Sequence, residues 1–289
     1  MEQTITTTNT VLESEPGAIT AKLQRPLEVA AAPISLDHLE LLLGELRLKH
    51  WSKLLKTDLS EMKPAEQGII LQCLSRWAET EKAERRGQMI TSKIRSAKFK
   101  KVQTIDGFDF THSTLTKGLQ KTYLALFHSV APDKLPSAIF TGSAGLGKTH
   151  LARALGYAAC QKGLSVLFLT AAEMVNHLAN AQKNFTLEQE LNKYRRPQVL
   201  IIDELGYVSL DAQASNLFFQ VISARHDQGL GTIATTNLPF GKFNQIFAND
   251  AIAHAIVDRL ANDADVFFFE GEPETYREHQ RKKRKQKAG

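Results

Sequence analysis

The chain has 289 residues, 43% of them hydrophobic, and a net charge of +5, which is enough for one sizeable α/β domain and a smaller accessory domain. No apolar run approaches membrane-spanning length and the N-terminus lacks the basic-then-apolar order of a secretory signal, so no membrane partner is expected. Cys73 and Cys160 stand far apart without metal-ligand spacing, which argues against a disulfide scaffold and makes a reducing cytoplasm the expected compartment.

Residues 1–34 are rich in Thr, Ala and Pro with little periodicity and are expected to form a disordered N-terminal extension. From Ser35, a good N-cap, the spacing of Leu36, Leu39, Leu43, Leu46 and Leu54 predicts an amphipathic helix. A second helix is predicted from Pro64, where proline is tolerated in the first turn, with Ile70, Leu74 and Trp77 as its apolar face. It runs on into a basic segment: residues 82–101 carry eight Lys/Arg against Glu84 alone, a local charge of +7. These helices make a small all-α domain over 35–101, joined through Val102–Asp109 to a nucleotide-binding α/β domain over 102–276. A second basic segment, the C-terminal tail 277–289, has a local charge of +6, which leaves the rest of the chain at −8. Basicity concentrated in this way points to a polyanion partner, with nucleic acid as the common choice.

In the second domain Ser137–Thr141 reads as a buried strand, followed by Gly142-Ser143-Ala144-Gly145-Leu146-Gly147-Lys148-Thr149 and then by a helix opening at His150. Strand, glycine-rich loop and helix in that order allow backbone amides to curl around a β-phosphate at a positive helix terminus. Lys148 then reaches the β/γ-phosphates, and Thr149 offers a hydroxyl to Mg²⁺. His150, the first residue beyond the loop, is counted with the nucleotide-binding set. Further strands are expected at 166–170, 199–202, 231–237 and 266–269, with helices over 171 to about 194, 216–225 and about 250–260. Five apolar strands separated by helices imply a parallel sheet covered on both faces.

The strand at 199–202 runs into Asp203-Glu204, about 55 residues after Lys148. A carboxylate at a strand tip beside the loop can hold Mg²⁺ through water, which fits Asp203, while Glu204 can orient and deprotonate an attacking water. Asn237 ends another strand, where its amide reaches the lytic water or the γ-phosphate, or else serves a turn before Leu238-Pro239. Arg259 lies on a helix and either neutralises transition-state charge on a neighbouring subunit's ATP or is a surface residue paired with Asp258. Arg225 is a weaker candidate of the same type. Lys82, Arg85, Arg86, Lys93, Arg95, Lys98, Lys100 and Lys101 are candidate phosphate contacts to DNA, with a solvated helix face as the alternative. The tail from Arg281 to Lys287 is either a DNA tether or a solubilising end.

Gly-Lys-Thr-His-Leu-Ala at 147–152, Leu-Ile-Ile-Asp-Glu-Leu-Gly-Tyr at 200–207, Thr-Thr-Asn-Leu-Pro-Phe at 235–240 and Ile-Val-Asp-Arg-Leu at 256–260 together resemble the IstB/DnaC branch of AAA+ ATPases. The upstream helical domain and the linker 104–110 are more similar to the IstB transposition helpers than to the helicase loaders. The resemblance spans about residues 36–278 and implies a five-stranded parallel sheet of order 5-1-4-3-2. It also implies ATP with Mg²⁺, Gly142 to Thr149 as the ATP loop, and Asp203 and Glu204 serving Mg²⁺ and hydrolysis. Asn237 takes the place of sensor one, and Arg259 that of an arginine finger acting in trans. Its expected partners are double-stranded DNA, a transposase and further copies of the chain, assembled with ATP. Thirty residues follow Arg259, so a helical lid is expected to be reduced or absent, and Arg277 matches a recurrent family position without an assigned role. A replicative-helicase loader with the same core is the nearest alternative function, and a small-molecule phosphotransferase a remote one.

Overall fold

The computed structural model describes residues 35–112 and 115–269, so the expectations for 1–34, for the lid and Arg277, and for the basic tail lie outside the described residues. The chain divides into two compact units between Ala83 and Glu84.

The first unit holds α1 (Leu36–Glu45), α2 (Lys49–Ser60) and the first part of α3 (Pro64–Ser96), a helix that ends in the second unit. Ser35 caps α1 by accepting from the His38 amide at 3.2 Å, as its position in the sequence suggests. The single helix expected through Leu54 is instead two. Gly44 weakens the last turn, Arg47 takes a left-handed conformation (φ +62°), and the Leu48 amide closes back onto the Leu43 carbonyl at 2.8 Å. The core of this unit is Leu39, Leu42, Leu43, Leu46 and Ala78, with Leu71 and Leu74 packed against it. Leu54 and Trp77 are 63% and 58% exposed, so neither belongs to the buried faces predicted for them. The inward row of α3 runs through Leu71, Leu74, Ser75 and Ala78, of which Ser75 and Ala78 are small enough to let the helices approach closely.

The second unit is a five-stranded parallel sheet of β1 (Ala138–Gly142), β2 (Val166–Thr170), β3 (Val199–Leu205), β4 (Gly231–Thr236) and β5 (Asp265–Phe269). Its order is β2-β3-β4-β1-β5, the expected 5-1-4-3-2. Helices α4 (Lys117–Ser129), α5 (Lys148–Gln161), α6 (Ala171–Lys183), α7 (Leu187–Arg195), α8 (Ala212–Asp227) and α9 (Asp250–Ala261) cover it. Both faces of the strands are buried, and alternate residues serve opposite layers. Phe140, Phe168, Val199, Ile201 and Phe267 pack with Tyr123, Leu151 and Leu155, while Ile139, Leu200, Ile202 and Ala234 pack with Met174, Phe218 and Ile256.

Three departures from the sequence expectation concern this unit. The helix α4 was not foreseen; it is held by Tyr123, fully buried between Phe140 and Phe267, whose hydroxyl donates to the Leu151 carbonyl at 3.0 Å. The helix expected over 171–194 breaks after α6, where Phe185 turns left-handed (φ +57°). Residues 84–101, grouped on sequence with the helical domain, fall in the second unit. Ile94, Ala97 and Phe99 pack into the sheet core, and the Ala97 carbonyl accepts the Phe168 amide at 2.8 Å along the open edge of β2.

Candidate nucleotide site

β1 delivers the chain into the glycine-rich loop, and α5 begins at Lys148 directly after it. Gly142 and Gly147 have φ of +137° and +94°, a region closed to most side chains. A Cβ on Gly142 would collide with the Phe269 carbonyl, and one on Gly147 with the ring of Phe108. The loop therefore closes against both β5 and the linker, with the first amides of α5 pointing into a cavity of about 510 Å³. Residues 144–150 and Arg153 line one side of it, Asp203, Glu204, Tyr207, Thr235 and Thr236 another, and Gln103, Phe108 and Asp109 a third.

Lys148 is buried, and its ammonium donates to the carbonyls of Gly142 and Ser143 at 2.7 and 2.6 Å. Burial lowers its pKa, opposed by the negative charge of Asp203. Asp203 is 2% exposed and sits where β3 meets the loop. Its Oδ1 accepts from Thr149 Oγ1 at 2.8 Å and from Thr235 Oγ1 at 2.5 Å, and its Oδ2 lies 3.8 Å from Arg153 Nη2. The pairing of β3 with β4 shifts between Ile202 and Leu205, a bulge that leaves Glu204 outside the ladder. Glu204 has φ +60°, a conformation that costs a residue with a Cβ about 1–2 kcal/mol. Its amide donates to Thr235 Oγ1 at 3.0 Å, and its side chain is exposed at the cavity wall. Bulge and left-handed turn together aim the second acid away from the sheet, and strain of this kind gathers at working sites.

Asn237 follows β4 beside Gly206, off the cavity wall, and its Oδ1 is buried without a hydrogen-bond partner. His150 lines the cavity, but its ring nitrogens serve the linker. Nε2 donates to the Thr104 carbonyl at 2.8 Å, so Nδ1 accepts from Gln103 Nε2 at 3.0 Å, and burial keeps the ring's pKa below the usual imidazole value. Arg259 lies away from the chain's own loop, on α9, donating to Ser223 Oγ and the Ala255 carbonyl at 3.2 Å each and resting 4.9 Å over Phe219.

Arg225 is not a finger candidate. Fully buried, its guanidinium donates to the carbonyls of Tyr194, Pro197, Gln198 and Gly231 and to Thr232 Oγ1, clamping the ends of α7 and α8 to the sheet. Among the proposed DNA contacts, Lys82 pairs with Glu45 in the first unit, and Lys100 pairs with Glu173 at 2.8 Å in the second. Arg85, Arg86, Arg95, Lys98 and Lys101 are exposed, whereas Lys93 is half-buried. Thr235, Arg153, Gln103 and Phe108 were not singled out from the sequence. Thr235 lay within the motif at 235–240 and Phe108 within the linker 104–110, each without a role of its own.

The family described as IstB-like ATP binding protein matches residues 41–286. The chain is 35% identical over 214 residues to an ATP-binding protein of insertion sequence IS5376 from Geobacillus stearothermophilus, covering 74% of this chain and 84% of that one. It is 30% identical to one of insertion sequence IS21 from Pseudomonas aeruginosa, covering 88% and 92%. In fold it is similar to AMPPCP-bound DnaA from Aquifex aeolicus, with a TM-score of 0.50, 18% identity and coverage of 64% and 55%. It is also similar to DnaI, with a TM-score of 0.50, 20% identity and coverage of 59% and 89%. Among the described residues no helix is long and apolar enough to cross a membrane.

Proposed function

The chain belongs to the IstB-like ATP-binding protein family, and from that premise we propose that it hydrolyses ATP, assembles with ATP on double-stranded DNA as a homo-oligomer, and activates or directs a transposase. The observation that carries the hydrolase reading is the Thr149–Asp203–Thr235–Glu204 network at the mouth of the phosphate loop. The insertion-sequence relatives support the transposition reading over the helicase-loader alternative.

In this reading the loop amides and Lys148 bind the triphosphate. Thr149 Oγ1 and Asp203 Oδ1, 2.8 Å apart, form an all-oxygen pair that fits a hard cation completed by phosphate oxygens and water, so these residues would hold Mg²⁺. When bound, that cation neutralises charge on the β- and γ-phosphates. Thr235 fixes Asp203, and Glu204 accepts the proton of the attacking water from its outward position. Asn237 lies off the cavity wall, and its amide, whose oxygen has no protein partner, reaches that water or the γ-phosphate by turning from its place beside Gly206. Arg259 completes a neighbour's site in trans, and the exposed cations of 84–101 contact DNA phosphates.

The test is steady-state ATP turnover by the purified full chain with duplex and single-stranded DNA, together with co-purification of the transposase of the same insertion sequence. Turnover stimulated by duplex and recovery of the transposase are expected. No turnover under any condition overturns the hydrolase reading, and stimulation by single strands alone favours the loader reading.

A further inference from the structure

One guanidinium stands between Asp203 and the segment that carries the basic residues. Arg153, on the second turn of α5, has a side chain only 16% exposed, on a helix that otherwise buries Leu151, Ala152, Ala154 and Leu155. Its Nη2 is 3.8 Å from Asp203 Oδ2, within ion-pair reach but beyond a hydrogen bond. Nη1 donates to Gln103 Oε1 at 3.1 Å, Cζ rests 4.6 Å over the Phe168 ring, and Nε is buried with no partner. A buried cation with an unused donor is costly, so the position has a use beyond packing.

Both neutral partners lead to the basic segment. The Phe168 amide donates to Ala97 at 2.8 Å, and its ring packs on Phe99 with centroids 5.9 Å apart. Gln103 continues through His150 to the Thr104 carbonyl. The guanidinium is thus shared between a carboxylate on one side and the 97–104 segment on the other.

We propose that Arg153 couples nucleotide at the phosphate loop to polyanion at the basic segment. When Asp203 engages the cation of a bound triphosphate, the carboxylate pulls less on the guanidinium. Arg153 then settles on Gln103 and Phe168 and stiffens residues 97–104. By thermodynamic reciprocity, an anion held by that segment alters nucleotide affinity by the same factor. Arg153 acts as a positioning residue and touches no reacting atom. The DNA half of this coupling rests on the function proposed above; the nucleotide half does not.

The test compares the full-length protein with Arg153→Met and Arg153→Lys, with and without Mg²⁺ and a non-hydrolysable ATP analogue. Hydrogen exchange is read on peptides within 90–101, which end short of the cavity-lining Gln103. In the unaltered protein the analogue slows exchange there by about fivefold or more, and its Arg153→Met counterpart, compared at a saturating analogue concentration, responds by less than about twofold. Arg153→Lys, which keeps the charge, restores part of the response. Anisotropy of a labelled duplex gives the coupling directly: duplex affinity changes about fivefold or more with the analogue in the unaltered protein and not in Arg153→Met. An unaltered exchange response in Arg153→Met overturns the proposal, as does its absence from the unaltered protein. Failure of every form to bind duplex, with the exchange response as expected, overturns the DNA reading and leaves the nucleotide coupling established. Should Arg153→Met not fold, Gln103→Ala cuts the same path from the linker side and is judged by the same two outcomes.

Discussion

The hydroxyl of Thr235 donates to Asp203 at 2.5 Å and accepts the amide of Glu204 at 3.0 Å, so one β4 side chain holds both acids of β3. Thr235→Val keeps the shape and removes both bonds, leaving a buried carboxylate oxygen and an amide short of partners. A loss of about 1–3 kcal/mol in stability is expected from denaturant unfolding, with turnover reduced more than ATP binding. Thr235→Ser retains the hydroxyl and is expected to stay near the unaltered protein on both measures. Equal turnover in Thr235→Val would remove this residue from the site.

Glu204 combines an exposed carboxylate with a strained backbone. Glu204→Gln is expected to bind ATP normally and to lose turnover, whereas Lys148→Ala loses both, as measured by nucleotide titration and phosphate release. Glu204→Gly removes the same carboxylate but relieves the left-handed conformation, so it should be inactive yet as stable as the parent, or more so by about 1 kcal/mol. A marked drop in its melting temperature would show that the turn is not strained.

Arg259 is anchored to α8 and α9 far from its own loop. If it serves a neighbour, mixing Arg259→Ala with Lys148→Ala protein should restore some active interfaces, because each supplies what the other lacks. Phosphate release in the mixture should exceed the sum of the two alone. No gain, with co-assembly demonstrated, would make Arg259 a structural residue.

For the basic segment, Arg86, Arg95, Lys98 and Lys101 are the exposed positions best placed to meet phosphates, whereas Lys100 already pairs with Glu173. Neutralising those four should weaken binding to unrelated duplexes alike. It should also reduce the slope of log K against log salt by about 3–4 units, near 0.9 per lost contact. An unchanged slope would leave the segment a solvated face.

The Lys100 pair has a pH signature of its own. The ammonium of Lys100, then the Thr170 amide, hold the Glu173 carboxyl down to about 2. A depressed carboxylate pKa stabilises the fold above the unfolded value near 4.5, and that contribution disappears as pH falls toward 2. Glu173→Gln should therefore be less stable than the parent at neutral pH and converge with it in acid. The group is partly exposed, so solvent screening keeps the difference small. A gap that persists at pH 2 would assign the effect to packing instead.

The parts of the fold that could be read from the chain are those with strong local causes. Glycines that must turn left-handed marked the phosphate loop, and apolar runs marked all five strands in their observed places. The helical unit was read less well because its inward face relies on Ser75 and Ala78, while Trp77, the most hydrophobic-looking neighbour, points outward. Arg225 and Arg259 are both helix arginines in the sequence, separated only by the motif around Arg259. Only the carbonyls that three distant residues and the nearby Gly231 bring around Arg225 make one of them a buried clamp. Thr235 and Arg153 were silent for a similar reason, since a threonine suits any strand and an arginine any helix until their partners are assembled.

The alternation along β3 has a consequence for folding fidelity. Val199, Leu200, Ile201 and Ile202 are nearly interchangeable in size, and each sheet face accepts members of this group. Sliding β3 by one position would therefore exchange one aliphatic for another and gain little discrimination from the core. Asp203 breaks that degeneracy: a slip would carry its carboxylate among apolar neighbours and away from the hydroxyls of Thr149 and Thr235. The acid that serves the nucleotide site is thus also the marker by which this interior strand finds its alignment, and Asp203→Val is expected to fold with β3 less uniquely registered.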